Sequence, residues 1–262
     1  MHNYSRKEIE KKIASVHWYH TFELVPGIMT PGIVPFDAVK ILDMIPIKNL
    51  AGKRILDIGA WDGPLSFELE KRGASVVAID IQDPVVTGFN IAKDILHSEV
   101  KYIHGSVYDL SNLTRGPFDV VFFFGVYYHL KNPLLAFEEI SKLLNPQSLL
   151  FFEGECLLHY AEDTEGKPRK DVDIEALGRS SLPVSLYYPG RYKKTSNWVV
   201  PNLSCIRSWL QAAGLKLEVH YLDNDPEALP HPKQRISGIA KLAGRAITVE
   251  HPIAKPDSTD RD

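Results

Sequence analysis

The stretch Lys53–Arg72, KRILDIGAWDGPLSFELEKR, constrains this chain more than any other. An apolar strand runs into Asp57, a loop carries Gly59 and Gly63, and a helix follows from about Pro64. Proline suits the first helical position, where no backbone N–H is needed, and Asp62 stands where it can cap that helix. A second apolar strand, Ser75–Ile79, leads directly into Asp80. Strand, helix and strand at this spacing require a right-handed crossover and a parallel sheet, whose ligands collect at the carboxyl ends of the strands.

The same rhythm continues downstream. Strands are expected at Arg54–Ile58, Ser75–Ile79, Lys101–His104, Phe118–Phe123 and Leu149–Glu153, and helices near Pro64–Arg72, Pro84–His97 and Pro133–Leu144. The segment FDVVFFF is apolar without alternation, as a strand buried on both faces should be. A helix near Leu203–Ala213 and two strands, Lys216–Leu222 and Arg235–Lys241, close the pattern with an antiparallel edge. The expectation is an α/β, Rossmann-like fold with a mostly parallel seven-stranded sheet and helices on both faces. It occupies residues 49–250. Residues 1–48 are expected as a helical extension or lid, with helices over 5–20 and Phe36–Ile45 around a Pro- and Gly-rich connector. Residues 154–200 interrupt the rhythm and read as an insertion covering a substrate, its EDTEGKPRKDVDIE stretch a solvated excursion. Residues 251–262 read as a flexible tail.

Composition narrows the class. A chain of 262 residues suits one large α/β domain. Its 30 basic and 33 acidic side chains leave a net charge of −3, without the basic surplus of a nucleic-acid reader. Cys156 and Cys205 form neither a CxxC pair nor a zinc spacing, which fits a reducing cytoplasm. The start of the chain lacks the apolar core of a signal peptide, and no stretch nears the ~20 apolar residues of a spanning helix. A cytoplasmic protein without a membrane partner is expected. The ten histidines show no metal-ligand constellation.

The loop after the first strand selects the ligand. A dinucleotide fingerprint starting at Gly59 needs glycines where Trp61 and Pro64 stand, and no GK[ST] phosphate loop follows. A nucleoside without phosphates remains. Asp80 lies 21 residues beyond Gly59, placed to accept from ribose hydroxyls, and Asp57 suits a ligand carrying an ammonium group. S-adenosylmethionine meets these demands. Its expected contacts are Asp57, Gly59, Ala60, Trp61, Gly63, Asp80, Ile81, Ser106, Val107 and Gly125. Either Ser106 or Asp109 supplies a polar contact to adenine, or the two simply begin the next helical turn.

Two further segments carry a resemblance. FDVVFFFGVYYHLKNPLLAF, with Gly125, Val126, Tyr128, His129, Pro133 and Leu134, is one. YPGRYKKTSNWVVPNLSCIRSWLQAAGL is the other. Across roughly residues 50–222 the chain resembles class I methyltransferases of the group that includes the bacterial tRNA wobble-uridine carboxymethyltransferase. That resemblance implies a carboxylated S-adenosylmethionine, its extra carboxylate held by an upstream lysine and by the tyrosine of the G-V-x-Y-H motif. Tyr128 is present, but no Lys or Arg lies between His17 and Phe36. A buried carboxylate lacking a cation is costly, so ordinary S-adenosylmethionine and methyl transfer are expected unless another group, such as Arg191, substitutes.

The acceptor is read as a small molecule methylated on oxygen or nitrogen. A tRNA-modifying enzyme and a non-catalytic S-adenosylmethionine-binding protein stand as alternatives. His129 is the candidate base, or else it fixes the turn that follows, and Tyr128 lines the methyl region. Glu153 is a candidate base or orienting group beside Glu155. Trp18, Tyr19, His20, Glu155, Arg191, Tyr192 and Asn197 are read as the substrate side, where the rings either cover the pocket or pack the insertion.

Overall fold

The computed structural model describes residues 4–47, 49–190, 192, 196–227 and 233–244. One seven-stranded sheet organises the chain. Numbering the strands of this sheet alone, they are β1 (Arg54–Ile58), β2 (Ser75–Asp80), β3 (Lys101–His104), β4 (Val120–Phe124), β5 (Leu149–Glu155), β6 (Leu215–Asp225) and β7 (Lys233–Leu242). Their order across the sheet is β6–β7–β5–β4–β1–β2–β3. Neighbours from β5 to β3 are parallel, and β7 runs antiparallel to both β5 and β6. The chain fills one side through β2 and β3, then crosses back to β4. The reversal falls between β1 and β4, where open α/β sheets bind their ligands.

Side-chain alternation explains why both faces of this sheet are covered. Leu56, Ile58, Val121, Phe123 and Phe152 enter one apolar cluster, while Ile55, Val120, Phe122 and Phe151 enter another. Helices α1 (Arg6–Ile13), α2 (Ala38–Met44), α3 (Pro64–Lys71), α4 (Phe89–Leu96), α5 (Leu110–Leu113), α6 (Pro133–Ser141), α7 (Ile174–Arg179) and α8 (Leu203–Ala212) complete the described helical elements. Phe89 and Leu69 pack with the second cluster, and Phe137, Ile140, Ile206 and Leu210 with the first. Each large side chain buried this way contributes about 1.5–3 kcal/mol against the entropy of ordering the chain.

The N-terminal extension is mixed rather than helical. Helix α1 ends at Ile13 instead of reaching residue 20. Short strands follow: His20–Thr21 lies parallel to Val34–Pro35, and Glu23–Val25 antiparallel to Ile28–Met29. Trp18 explains the early stop. Its side chain is buried, and its indole N–H donates to the Ile13 carbonyl at 2.8 Å, folding the chain back after α1. The same indole packs over Gly88, where a Cβ would lie 2.9 Å from the ring. Gly88, with φ 84°, caps α4, which therefore begins at Phe89 and not at Pro84.

At the other end of the sheet, β7 is an interior strand and β6 is outermost. The insertion builds its own small core from Leu157, Ala161, Ile174, Tyr188, Tyr192 and Val200. Two of its strands, Ser185–Tyr187 and Val199–Pro201, pair antiparallel. Gln234 of β7 fastens it to the sheet: its side-chain oxygen accepts from the amides of Leu158, His159 and Tyr160 at 3.1, 3.3 and 3.2 Å. The expected tail, 251–262, lies outside the described residues.

Candidate functional site

The loop leaving β1 is shaped by its glycines and by the two strand-end aspartates. Gly59 has φ 84°, and a Cβ there would come within 2.3 Å of Val126 Cγ2 in the turn after β4. That position is therefore closed to side chains by the neighbouring turn, in addition to any ligand. The Gly59 amide donates to Ile79 O at 2.8 Å. Asp80 accepts from the amides of Trp61 at 2.9 Å and Gln82 at 2.8 Å, so one carboxylate orders both loops. Burial raises the Asp80 pKa, and those backbone donors partly offset it. Asp57 is buried, accepts from Ser66 Oγ at 2.6 Å, and is pushed up to about 6, chiefly by burial.

Asp62 does not cap α3. Gly63, with φ 86°, holds the N-cap position without a side-chain bond. The Asp62 carboxylate, fully buried, instead accepts from the amides of Tyr19 and His20 at 2.9 and 2.8 Å and meets His20 Nδ1. It ties the N-terminal segment onto the loop after β1. Trp61 adopts φ 49°, a left-handed conformation uncommon outside glycine. Its ring lies 4.9 Å from that of Tyr19, and its indole N–H is buried with no hydrogen-bond partner in the structure.

The other expected cofactor residues are distributed unevenly. Ala60 and Val107 are buried, and Ile81 is largely exposed beyond β2. Ser106 Oγ accepts from Tyr108 N at 3.2 Å and starts the helical turn Val107–Asp109. Gly125, with φ 70°, ends β4 with open space beside its Cα; the nearest atom to a Cβ would be Tyr128 Oη at 3.6 Å.

Beyond β4, a helical turn at Tyr127–His129 places two buried tyrosines over β5. Gly154 makes room for both, since a Cβ there would approach their rings to 2.5–2.8 Å. Arg235 of β7 completes this region. Its Nη2 donates to Tyr128 Oη at 3.2 Å, and its guanidinium sits 5.0 Å from the ring centre. The same guanidinium holds Glu153 in a two-point pair, with Nη2–Oε2 at 2.8 Å, and lies 3.6 Å from Glu155. Burial works against the Arg235 charge, but the bonds and charge of Glu153 prevail and hold its pKa well above the ordinary value. Burial also raises Tyr128 and lowers His129.

Arg235 is not marked by any motif. Its signal is a register: a basic residue directly opposite Glu155 once β7 pairs with β5. His129 Nδ1 lies 3.0 Å from Ser196 Oγ, so the imidazole meets the insertion. Asn197 is almost wholly buried, its side-chain oxygen without a partner, beside Trp198, whose amide donates to Tyr128 O at 2.7 Å.

Two expected substrate residues are structural. Trp18 lies in the core against Gly88, and Tyr192 is buried in the insertion, accepting from Gln234 Nε2 at 2.9 Å. Arg191 lies outside the described residues. A cavity of about 490 Å³ opens in the insertion, bordered by Ala161, Arg169, Leu177, Ser185 and Tyr188; its lining belongs wholly to the insertion and not to the strand ends. Among the described residues, no group of three His, Cys, Asp or Glu side chains is arranged to hold a metal, and no helix is long and apolar enough to cross a membrane.

Residues 56–152, which contain the loop after β1 and the turn after β4, match the methyltransferase domain family. Over those residues the chain is similar to methyltransferase domains, set within a Rossmann-like seven-stranded sheet. It is 31% identical over 183 residues to a tRNA U34 carboxymethyltransferase of Methylococcus capsulatus, covering 69% of this chain and 49% of that protein. It is 32% identical over 117 residues to a ubiquinone biosynthesis O-methyltransferase of Psychrobacter cryohalolentis, covering 44% of each. The chain thus spans about half the length, or less, of the curated relatives it matches. Among solved structures, the N-terminal domain of EvdMO1, crystallised in the presence of S-adenosylhomocysteine and D-fucose, superposes with TM-score 0.62. It covers 92% of this chain and 98% of that domain at 16% identity, a likeness of fold. In this fold Asp57, Gly59 and Asp80 stand at the ends of β1 and β2, and Tyr128, Glu153 and Arg235 gather around the end of β5.

Proposed function

We propose that this methyltransferase domain takes S-adenosylmethionine and methylates an oxygen or nitrogen of a small-molecule acceptor. The residues fit that cofactor. Asp80 ends β2 where ribose hydroxyls are accepted, Asp57 stands where an ammonium would relieve its burial, and Trp61 Nε1 is a buried donor awaiting an acceptor. When bound, the cofactor supplies an activated methyl group on a positively charged sulfur.

The observation that carries the choice of plain cofactor is the pairing of Arg235. Two carboxylates, Glu153 and Glu155, share one guanidinium beside Tyr128. Glu153 already holds that guanidinium at two points, so an added carboxylate would have to displace Glu153 to use the same cation. Glu155 and Asn197 line the acceptor side, and His129 joins that side to the insertion. Tyr128 forms a wall whose hydroxyl stays protonated, because burial raises its pKa. These groups orient the nucleophile and exclude water.

Incubation with methyl-labelled S-adenosylmethionine and separate pools of small metabolites and tRNA tests this reading. Label is expected in the small-molecule pool. The relatives named as tRNA carboxymethyltransferases favour a second reading, a tRNA acceptor, and label in tRNA alone would establish it over the first.

A further inference from the structure

The insertion holds a cavity that methyl transfer at the strand ends leaves unused. Its volume, about 490 Å³, falls within the roughly 300–1,000 Å³ of sites that enclose small ligands. None of its lining residues comes from the strand ends or from the turn after β4. The paired strands of the insertion divide the two regions between them. The first carries Ser185 and Leu186 of the cavity lining. Trp198, next to the second, donates its amide to Tyr128 O at 2.7 Å.

The walls decide what kind of molecule fits. Ile174, Leu177, Leu186 and Tyr188 form an apolar lining that the small core of the insertion does not close over. Val172 and Tyr187, in the same lining, are exposed. An apolar occupant takes such surface out of water, which is favourable. The charged groups that border the cavity are already matched. Arg169 holds Asp171, with Nε–Oδ1 at 2.7 Å, and Asp163 accepts from the amides of Glu165 and Lys167, each at 2.9 Å. The Glu162 carboxylate accepts from Tyr160 Oη at 2.6 Å. A charged ligand would have to break one of these pairs or enter without a counterion. Ser185 differs from them. Its hydroxyl is buried and meets no hydrogen-bond partner in the structure, although a hydroxyl both donates and accepts.

We propose that this cavity is a second small-molecule site, which takes an uncharged, mainly aromatic ligand with one hydroxyl-type group for Ser185. Tyr187 and Tyr188 give the ligand aromatic neighbours, which favours a flat ring over a branched chain. Such a molecule covers the apolar walls and pairs the orphaned hydroxyl at once. The site is separate from the strand ends and stands independently of the methyl acceptor.

The probes are 2-naphthol and 2-naphthoate, titrated into the full chain at about pH 7.5, where only the second is ionised. Amide chemical shifts locate the site. 2-Naphthol should bind with shifts centred on residues 161–188, and 2-naphthoate should bind at least about tenfold more weakly. Ser185→Ala should weaken 2-naphthol by roughly 3–10-fold, the range of one neutral hydrogen bond, and leave naphthalene within about twofold. Leu177→Trp, which fills the cavity, should abolish binding of both; Ser185→Ala carries the test if the tryptophan variant does not fold. No binding of 2-naphthol up to about 1 mM would overturn the proposal, as would shifts centred on the Tyr128 turn. Equal affinity for the neutral and the charged probe would also contradict it. Unchanged 2-naphthol affinity in Ser185→Ala would overturn the assignment of the hydroxyl.

Discussion

Arg235 Nη2 donates to Tyr128 Oη at 3.2 Å, joining residues 107 positions apart in the chain. The cation beside this tyrosine thus comes from the antiparallel strand inserted after the rest of the sheet, and not from the segment before β1. Because Glu153 already grips that guanidinium at two points, Arg235 organises the end of β5 more than it offers itself to an anion. Removing it leaves the half-buried Glu153 without its cation. Arg235→Met is expected to destabilise the protein by about 2–3 kcal/mol, below the roughly 3–5 kcal/mol of a fully buried broken pair because the site keeps some solvent. Urea denaturation measures this, and a change below about 0.5 kcal/mol would mean the network is solvent-screened.

Asp57 makes stability and binding depend on pH in opposite senses. Its pKa is raised in the folded protein to about 6, against an ordinary value near 3.9, so the folded state binds more protons between these values. Stability of the ligand-free protein should therefore fall as pH rises from about 4 to 6, by at most ~3 kcal/mol from this group. Asp57→Asn should remove that fall and raise the melting temperature at pH 7.5, while cofactor affinity drops. For the wild type, affinity should weaken as pH falls below about 6, where Asp57 takes up a proton and no longer pairs with an ammonium. Calorimetry across pH 5–8 reads both effects, and flat affinity over that range would remove Asp57 from the binding account.

Gly59 couples the two loops at the switch point. Gly59→Ala puts a Cβ against Val126 and forces a positive φ on alanine, with an expected cost of about 1–3 kcal/mol. Adding Val126→Ala should recover the steric share of that loss but leave the backbone share. Two variants with equal melting temperatures would show that Val126 is not the obstacle.

Gln234 holds the insertion by accepting from three consecutive amides. Gln234→Ala leaves those donors unmet, and a loss of about 2–3 kcal/mol is expected, felt locally. Hydrogen exchange should speed at residues 158–160 and through the 185–201 pair while β1 and β4 keep their protection. Uniform acceleration across the sheet would indicate a global effect instead.

The frame of this protein is legible in the sequence wherever local signals govern. β1 and β3 run between their expected ends, and Pro64 starts α3, because apolar runs bounded by Gly, Asp and Pro need no distant partner to be recognised. Legibility ends where one segment completes another. The short strands around His20 and Val34 exist because Trp18 turns the chain back into the core. Asp62 has the sequence context of a helix cap, yet a glycine serves there and the carboxylate answers residues 42 and 43 positions earlier. Arg235 gains its meaning from register with Glu155, which no spacing along the chain encodes. Tyr192 and Trp18 illustrate the same limit from the other side, since an aromatic ring beside a pocket motif packs a core as readily as it covers a ligand.

The most direct measurement is calorimetric titration of the protein with S-adenosylmethionine, S-adenosylhomocysteine and the carboxylated cofactor under identical conditions. The pairing of Arg235 with Glu153 and Glu155 predicts that the plain cofactor and its product bind more tightly than the carboxylated form. Tighter binding of the carboxylated form would contradict it, showing that Arg235 exchanges its partners for the ligand and that the tRNA-modifying reading is the correct one.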